Sequence, residues 1–203
     1  MGLKVHSLGR IPAKIDRGYF VYLLDYGWDE PLSRSLRLNF DKMASLASRN
    51  NAIVIAGFDG EEFTNEIFSW HQVNGEPGTE ILPAILITTC HPQDFAARNE
   101  FRGASQRRLR AAGLLEDRLV LIPLKALCKT ETDVADIIEG IFRDIREKKA
   151  LPDFAVSRQI ARGDRGALVD AIILKPSVGG LGIDLKAIAR FLGAGRWVGK
   201  SKE

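Results

Sequence analysis

Two aspartates, Asp25 and Asp59, end stretches of apolar sequence that have the composition of buried β-strands. Asp29, Glu61 and Glu62 follow closely, so five carboxylates gather near the ends of these stretches. If the strands are neighbours, the carboxylates converge at one edge of a sheet and could hold Mg²⁺ for phosphoryl or phosphodiester chemistry. The alternative is structural, because such acids also cap turns and the first turns of helices. Asp25 and Asp59 are therefore candidate catalytic residues of a metal-dependent enzyme.

Cys90 and His91 follow a third apolar stretch, and a cysteine–histidine pair can generate a thiolate nucleophile. Adjacent side chains rarely point at one another, however, and a free cysteine is commonly a small buried apolar residue. The second cysteine, Cys128, is distant in sequence, and the two cysteines match no zinc or redox spacing. Cys90 and His91 are thus a candidate nucleophile and base, whereas Cys128 is expected in the core. No metal site and no cofactor are predicted.

A polar helical pattern over residues 95–112 carries five arginines that would form a basic patch: Arg98, Arg102, Arg107, Arg108 and Arg110. Such a helix could follow the phosphates of a nucleic acid, helped by a basic segment after residue 150. The alternative is a solvated helix face or a surface for an acidic protein, because aromatic residues that would stack on bases are nearly absent from it.

The elements that must position these residues alternate between strands and helices, which indicates an α/β layer fold. Four strands are predicted, at residues 19–25, 52–56, 84–88 and 119–123, each an apolar run typical of a strand covered on both faces. Apolar spacing predicts a helix through Leu36, Phe40, Met43 and Ala47, and another that begins at Glu61. Residues 3–17 are expected to form an edge strand or an ordered arm.

The clearest helix begins at Thr130 and continues to Ile145, with acids in its first turn and bases in its last. Pro152 marks a boundary, so the chain divides into an α/β domain at 1–149 and a basic extension at 150–203. The extension is predicted to contain a strand over residues 167–174, a glycine-rich loop and a short helix.

Two short segments resemble thioredoxins. Trp28-Asp29-Glu30-Pro31-Leu32 is similar to the thioredoxin corner in which Trp precedes Cys-Gly-Pro-Cys at the start of a helix, and Ile81-Leu82-Pro83-Ala84 is similar to the segment in which a cis-proline begins a strand. The resemblance covers residues 18–147. It departs where thioredoxins join their last two strands by a tight hairpin, because residues 89–118 intervene here. Either that segment is an inserted helix in a three-layer, thioredoxin-like sandwich, or the sheet is all-parallel and flavodoxin-like.

The resemblance implies a fold without its redox chemistry. Disulfide exchange needs a thiolate to attack and a second thiol to resolve the product, and Asp29 and Leu32 stand where those two cysteines would be. A groove beside Trp28 and Pro83, lined also by Asp29, Glu30 and Pro31, would remain as a surface that binds another protein. The chain is therefore expected to be a non-catalytic adaptor subunit, and the alternative is the Mg²⁺-dependent enzyme acting through Asp25 and Asp59.

Composition sets only broad limits. The hydrophobic fraction of 45%, the charged fraction of 27% and the net charge of +3 are ordinary for a globular protein and give no independent argument for a nucleic-acid partner. No apolar run approaches the length of a membrane span, and two distant cysteines are not the pattern of a secreted disulfide scaffold. The expected location is the cytoplasm.

Overall fold

The computed structural model of the chain describes residues 1–70, 73–74, 81–93, 119–162, 173–174 and 183–184. These residues contain strands and helices in alternation. The strands are β1 (Gly2–Val5), β2 (Tyr19–Leu24), β3 (Ala52–Gly57), β4 (Val73–Asn74), β5 (Ala84–Thr88), β6 (Leu119–Pro123), β7 (Ile173–Leu174) and β8 (Ile183–Asp184). The helices are α1 (Pro31–Leu38), α2 (Phe40–Arg49), α3 (Gly60–Trp70), α4 (Leu124–Leu127), α5 (Glu131–Arg146) and α6 (Ala155–Arg162). Short 3₁₀ turns lie at Leu8–Arg10 and Leu151–Asp153.

Six strands form one mixed sheet in the order β1-β3-β2-β5-β6-β7. β3 is parallel to both of its neighbours, β1 and β2, whereas β5 is antiparallel to β2, β6 to β5 and β7 to β6. Leu24 pairs with Ala84, which pairs in turn with Pro123. Four strands therefore end where β5 begins, namely β1, β2, β3 and β6. We call this end of the sheet the corner edge. β4 and β8 pair in a separate parallel ladder.

Both faces of the sheet are covered. Alternate residues of β2 point to opposite sides, so Phe20, Tyr22 and Leu24 pack on one face and Val21 and Leu23 on the other. α3 and the first 3₁₀ turn cover the first face. α1, α2 and α5 cover the second. The near-continuous apolar runs of β2, β5 and β6 follow from this burial on both sides.

The α/β class expected from the sequence is confirmed, and the four predicted strands are present as β2, β3, β5 and β6. The all-parallel, flavodoxin-like alternative is wrong, because β5 runs antiparallel to both of its neighbours. The helix predicted after the first strand is divided into α1 and α2. Asn39 lies between them, and its side-chain amide donates to the carbonyl of Ser35, 2.9 Å away, which also accepts the backbone N–H of Asn39 at 3.1 Å.

The predicted helix over residues 95–112 and most of the predicted elements after residue 163 lie outside the described residues. The described part of the C-terminal extension is continuous with the main core, since Leu151 and Phe154 pack in the same cluster as α5. Its division from residues 1–149 stays a prediction. Within the described ranges, no helix is long and apolar enough to cross a membrane.

A buried carboxylate attaches this extension to α5. Asp144 is 1% exposed, and its Oδ1 accepts a hydrogen bond from Lys149 Nζ at 2.7 Å, while Oδ2 accepts from the backbone N–H of Ala155 at 2.5 Å. The hydroxyl of Tyr19, at the start of β2, donates to the carbonyl of Lys149 at 2.8 Å. The turn after α5 is therefore fixed both to the sheet and to the first residue of α6.

We expect Asp144→Ala to lower the free energy of unfolding by about 2–3 kcal/mol, because it removes a charge-assisted acceptor from a buried amide and a cation. The matched control is Asp136→Ala, an exposed aspartate on the same helix, which should change stability by less than about 0.5 kcal/mol. Urea denaturation of both variants measures the difference. Equal losses would show that Asp144 does not hold the extension.

Candidate functional site

The segment that leaves β2 turns at Asp25, whose side chain is buried. Asp25 is 7% exposed, and its Oδ2 forms an ion pair with Arg37 of α1 while its Oδ1 accepts the backbone N–H of Gly27 at 3.0 Å. Both Nη atoms of Arg37 also reach the carbonyl oxygen of Trp28, at 3.3 and 3.2 Å. The carboxylate thus holds residues 25–28 and α1 in one arrangement.

Two glycines allow the chain to make this turn. Gly27 has a φ of +80°, a backbone conformation that residues with a side chain rarely adopt. Gly60, the first residue of α3, packs so closely against Asp25 that a Cβ at position 60 would collide with the carbonyl oxygen of Asp25. The backbone N–H of Asp25 donates to Thr64 Oγ1 at 3.2 Å, which adds a second link between this turn and α3.

Trp28 is half-buried, and its ring contacts Tyr26 of the same turn and Lys125 from a distant part of the chain. Its ring meets Tyr26 edge to face with centroids 5.4 Å apart, and Lys125 Nζ of α4 lies 5.4 Å from the Trp28 ring centroid. The same ammonium group forms an ion pair with Glu30 at 2.8 Å. The first helix of the chain and the segment after β6 are therefore joined at the corner edge through one lysine.

The five residues predicted to line a protein-binding groove are brought to one edge but are not equally accessible. Trp28 and Glu30 are half-buried, while Asp29 and Pro31 are exposed. Pro83 precedes β5 through a cis peptide bond and is buried, and its carbonyl accepts the backbone N–H of Leu124 at 2.9 Å. Pro83 is therefore not accessible, and the accessible part consists of Trp28 to Pro31 with Lys125.

The residue that follows Trp28 carries a paired carboxylate. Asp29 Oδ1 lies 2.7 Å from Arg34 Nη2, and the hydrogen bond and charge of Arg34 lower the pKa of Asp29 below its ordinary value. Both side chains are exposed, so the pair contributes little to stability. The pair places one negative and one positive charge on the exposed surface that follows Trp28.

Two further aromatic rings lie at the corner edge and were not identified from the sequence. His6 follows β1 and Phe58 follows β3, and their rings stack with centroids 4.5 Å apart. The pairing of β1 with β3 brings them together, with the Phe58 N–H donating to the carbonyl of Val5 at 3.0 Å. The sequence gives little sign of this ring pair, because the contact joins two residues that are distant in the chain.

The proposed Mg²⁺ ligands have structural roles. Both carboxylate oxygens of Asp25 are engaged by Arg37 and Gly27. Asp59 is exposed, and its Oδ1 accepts the backbone N–H of Glu62 at 2.9 Å in the first turn of α3. In the part of the chain that the structure describes, no three histidine, cysteine or acidic side chains are grouped as metal ligands. The arrangement is that of capping acids and gives the metal interpretation no support.

Cys90 and His91 do not form a nucleophile–base pair in the described contacts. Cys90 Sγ lies 3.7 Å from the backbone carbonyl oxygen of His91, while His91 Nδ1 accepts the N–H of Gln93 at 3.2 Å. Because Nδ1 is an acceptor, the ring proton is on Nε2, which donates to the carbonyl of Pro12 at 3.2 Å. Nε2 thus links the N-terminal arm to the end of β5, at the edge opposite the corner, while Nδ1 is engaged by the turn that follows His91.

The second thiol is also poorly suited to nucleophilic chemistry. Cys128 is buried, and burial together with the negative charge of Asp133 raises its pKa to about 11. A thiol with that pKa is almost entirely protonated at neutral pH. The sequence expectation that Cys128 belongs to the core is confirmed.

The predicted basic patch of Arg98, Arg102, Arg107, Arg108 and Arg110 lies outside the described residues. Comparison of the chain with protein-family models, with curated proteins and with solved structures finds no match. The candidate site is therefore defined by the geometry of the corner edge alone.

We expect Arg37→Ala to destabilise the protein by about 2–3 kcal/mol, because it leaves the buried Asp25 carboxylate without its cation. Arg34→Ala is the matched control, since it removes an arginine of the same helix from an exposed partner and should destabilise the protein much less. Chemical denaturation of the two variants measures the difference. A loss in Arg34→Ala as large as that in Arg37→Ala would contradict the structural role of Asp25.

Proposed function

We propose that this chain is a non-catalytic protein-interaction subunit built on a thioredoxin-like scaffold that lacks the redox cysteines. The scaffold part is supported by three features taken together. The Trp28–Leu32 corner follows the central strand β2 and opens α1, a cis Leu82–Pro83 bond precedes β5, and β5 and β6 are antiparallel. Trp28 and Pro83 lie at the same edge, as the resemblance requires, because Leu24 pairs with Ala84.

The absence of redox chemistry rests on the residues of the corner. Asp29 and Leu32 occupy the two positions where a thioredoxin-like corner needs thiols, and neither side chain can exchange with a disulfide. Cys90 follows β5, whose last residue pairs with Phe20 at the end of the sheet opposite the corner edge. Cys90 is therefore not near the corner. Cys128 is buried, with a raised pKa. Neither thiol is placed to substitute for the missing pair.

The interaction role rests on the observation that Trp28 is held in a fixed position at an accessible edge. The ring is contacted by Tyr26 on one side and by Lys125 on another, and Lys125 is itself fixed by Glu30. Tryptophan and tyrosine are the residue types that most often carry binding energy at protein interfaces. A half-exposed tryptophan held this way loses little conformational entropy when a partner covers it.

The redox half of the proposal is tested by reduction of insulin disulfides in the presence of a small dithiol. We expect no turnover above the protein-free rate for the natural chain, because the corner has no nucleophile. The double variant Asp29→Cys with Leu32→Cys should gain activity if the corner has the thioredoxin-like geometry. Turnover by the natural chain would overturn the non-catalytic assignment, and an inert double variant that still folds would argue against the scaffold.

The interaction half is tested by capture from a lysate of the native host with immobilised protein. We expect at least one protein to be retained by the natural chain and lost with Trp28→Ala, because truncation of a central aromatic anchor typically weakens an interface by about tenfold or more. Tyr19→Phe serves as the control, since Tyr19 lies at the opposite edge and its hydroxyl bonds within the fold. Retention that is the same for all three proteins would place the interaction elsewhere.

A further inference from the structure

The strand β1 lies at one side of the six-stranded sheet and pairs there with β3. Backbone N–H groups of β3 and of the residue after it donate to the carbonyls of Met1 and Val5, at 2.9 and 3.0 Å. Because successive residues of a strand direct their backbone groups to opposite sides, Gly2 and Lys4 direct theirs away from β3. Within the described ranges, no hydrogen bond reaches these outward N–H and C=O groups.

The features that usually keep an edge strand from pairing are missing from β1. Natural edges are protected by proline, by bulges or by charged side chains that project along the edge. β1 contains no proline, and its register with β3 is continuous from Gly2 to Val5. Its one charged side chain, Lys4, lies over its own helix α2, with Nζ 5.1 Å from the ring centroid of Phe40. The strand itself therefore carries nothing that prevents a further strand from pairing.

The residues of β1 are complementary to a second copy of β1 that runs in the opposite direction. With Leu3 placed opposite Leu3 of the copy, Gly2 of each strand lies opposite Lys4 of the other. The outward N–H and C=O groups of these residues then bond to each other across the pair. Each lysine faces a residue without a side chain, so no like charges are opposed. Sliding the strands to another register with the same bonding pattern would oppose the two lysines or leave both unpaired.

The other face of the pair is apolar. Leu3 is half-buried and packs at the margin of the core, so in the pair it covers its counterpart across the symmetry axis. Met1, which is also half-buried, comes opposite the buried Val5. Residues directly opposite each other in a pair that is not hydrogen-bonded bring their side chains closest together, so this face buries apolar surface that β1 alone leaves in water.

We propose that β1 is the interface through which two copies of this chain associate, as an antiparallel β1–β1 pair that joins their sheets into one. A two-fold axis passes between the two Leu3 residues, so both copies use the same surface and the association closes at a dimer. A strand of four residues buries far less than the about 800 Å² per partner of a standard interface, so the dimer should exchange with the monomer.

This inference is independent of the proposed function at the corner edge. Because the two copies of β1 are antiparallel, their corner edges point in opposite directions along the joined sheet, and Trp28 is not part of the interface. A parallel copy of β1 fits less well, because the outward groups of two identical parallel strands stand at the same level and cannot bond symmetrically. A strand from a different protein could use the same backbone groups, but the match of Leu3 with itself and of Lys4 with Gly2 favours a second copy.

Sedimentation equilibrium of the full chain over a wide range of concentrations measures the association. We expect the mass to rise from one chain to two, with no larger species. Lys4→Pro removes an outward N–H and leaves the hydrogen bonds to β3 intact, so it should weaken dimerisation about tenfold or more. Lys4→Ala is the matched control, because it keeps that N–H and should dimerise like the natural chain. Thermal melting of both variants identifies any loss of the fold.

Disulfide trapping tests the register and does not depend on whether the proline variant folds. Opposed residues of a non-hydrogen-bonded pair have Cα atoms about 4.5 Å apart, which suits a disulfide, so Leu3→Cys should give a covalent dimer under mild oxidation. Lys4→Cys is the matched control, since its two introduced thiols are displaced along the strands by two residues and lie beyond disulfide reach. The natural cysteines, Cys90 and Cys128, are buried.

Three results would each overturn the inference: a natural chain that stays monomeric at the highest concentration, a dimer that a folded Lys4→Pro variant leaves unchanged, or equal cross-linking of Leu3→Cys and Lys4→Cys. Assemblies larger than two chains would also overturn it, because the proposed pair is closed. These results are distinguishable from failure of the proposed function, since Trp28-dependent capture of a partner by a monomeric chain would retain that function and reject the β1 interface.

Discussion

The ion pair between Asp25 and Arg37 is the interaction on which the architecture of the corner edge depends. A carboxylate with 7% of its surface exposed must be paired, because an isolated charge in that position would be strongly destabilising. Arg37 satisfies it from the second turn of α1 and continues to the carbonyl of Trp28. One charge pair therefore fixes where β2 ends, how α1 begins and where the indole of Trp28 is presented.

The secondary structure was largely predictable because its determinants are local. The apolar runs of β2, β3, β5 and β6 coincide with the predicted strands, and α5 begins where Thr130 and Asp133 form a reciprocal capping box. The break at Asn39 was not predicted, because the apolar spacing of Leu36, Phe40, Met43 and Ala47 continues across it without interruption. The direction of β5 was also open, since an apolar run has the same composition in parallel and antiparallel sheets.

The candidate site was predictable only in part, and the reason is the same for each residue. A carboxylate at the end of a strand can bind a metal or a cation from the protein, and Arg37 is twelve positions away from Asp25 in the sequence. The sequence therefore left both alternatives open for Asp25. His6 and Phe58 lie 52 positions apart, and only the pairing of β1 with β3 makes their rings neighbours. In contrast, Trp28 and Pro83 could be singled out as candidates because each belongs to a recognisable local segment.

The close packing of Gly60 on Asp25 has a consequence for kinetics. No side chain separates the start of α3 from the turn after β2, so the backbones of these two segments are in direct contact. Under the proposed interaction role, a partner would meet a turn whose backbone is already held in place, so its association would not require a conformational step in this turn. Differences between competing ligands would then appear mainly as differences in residence time.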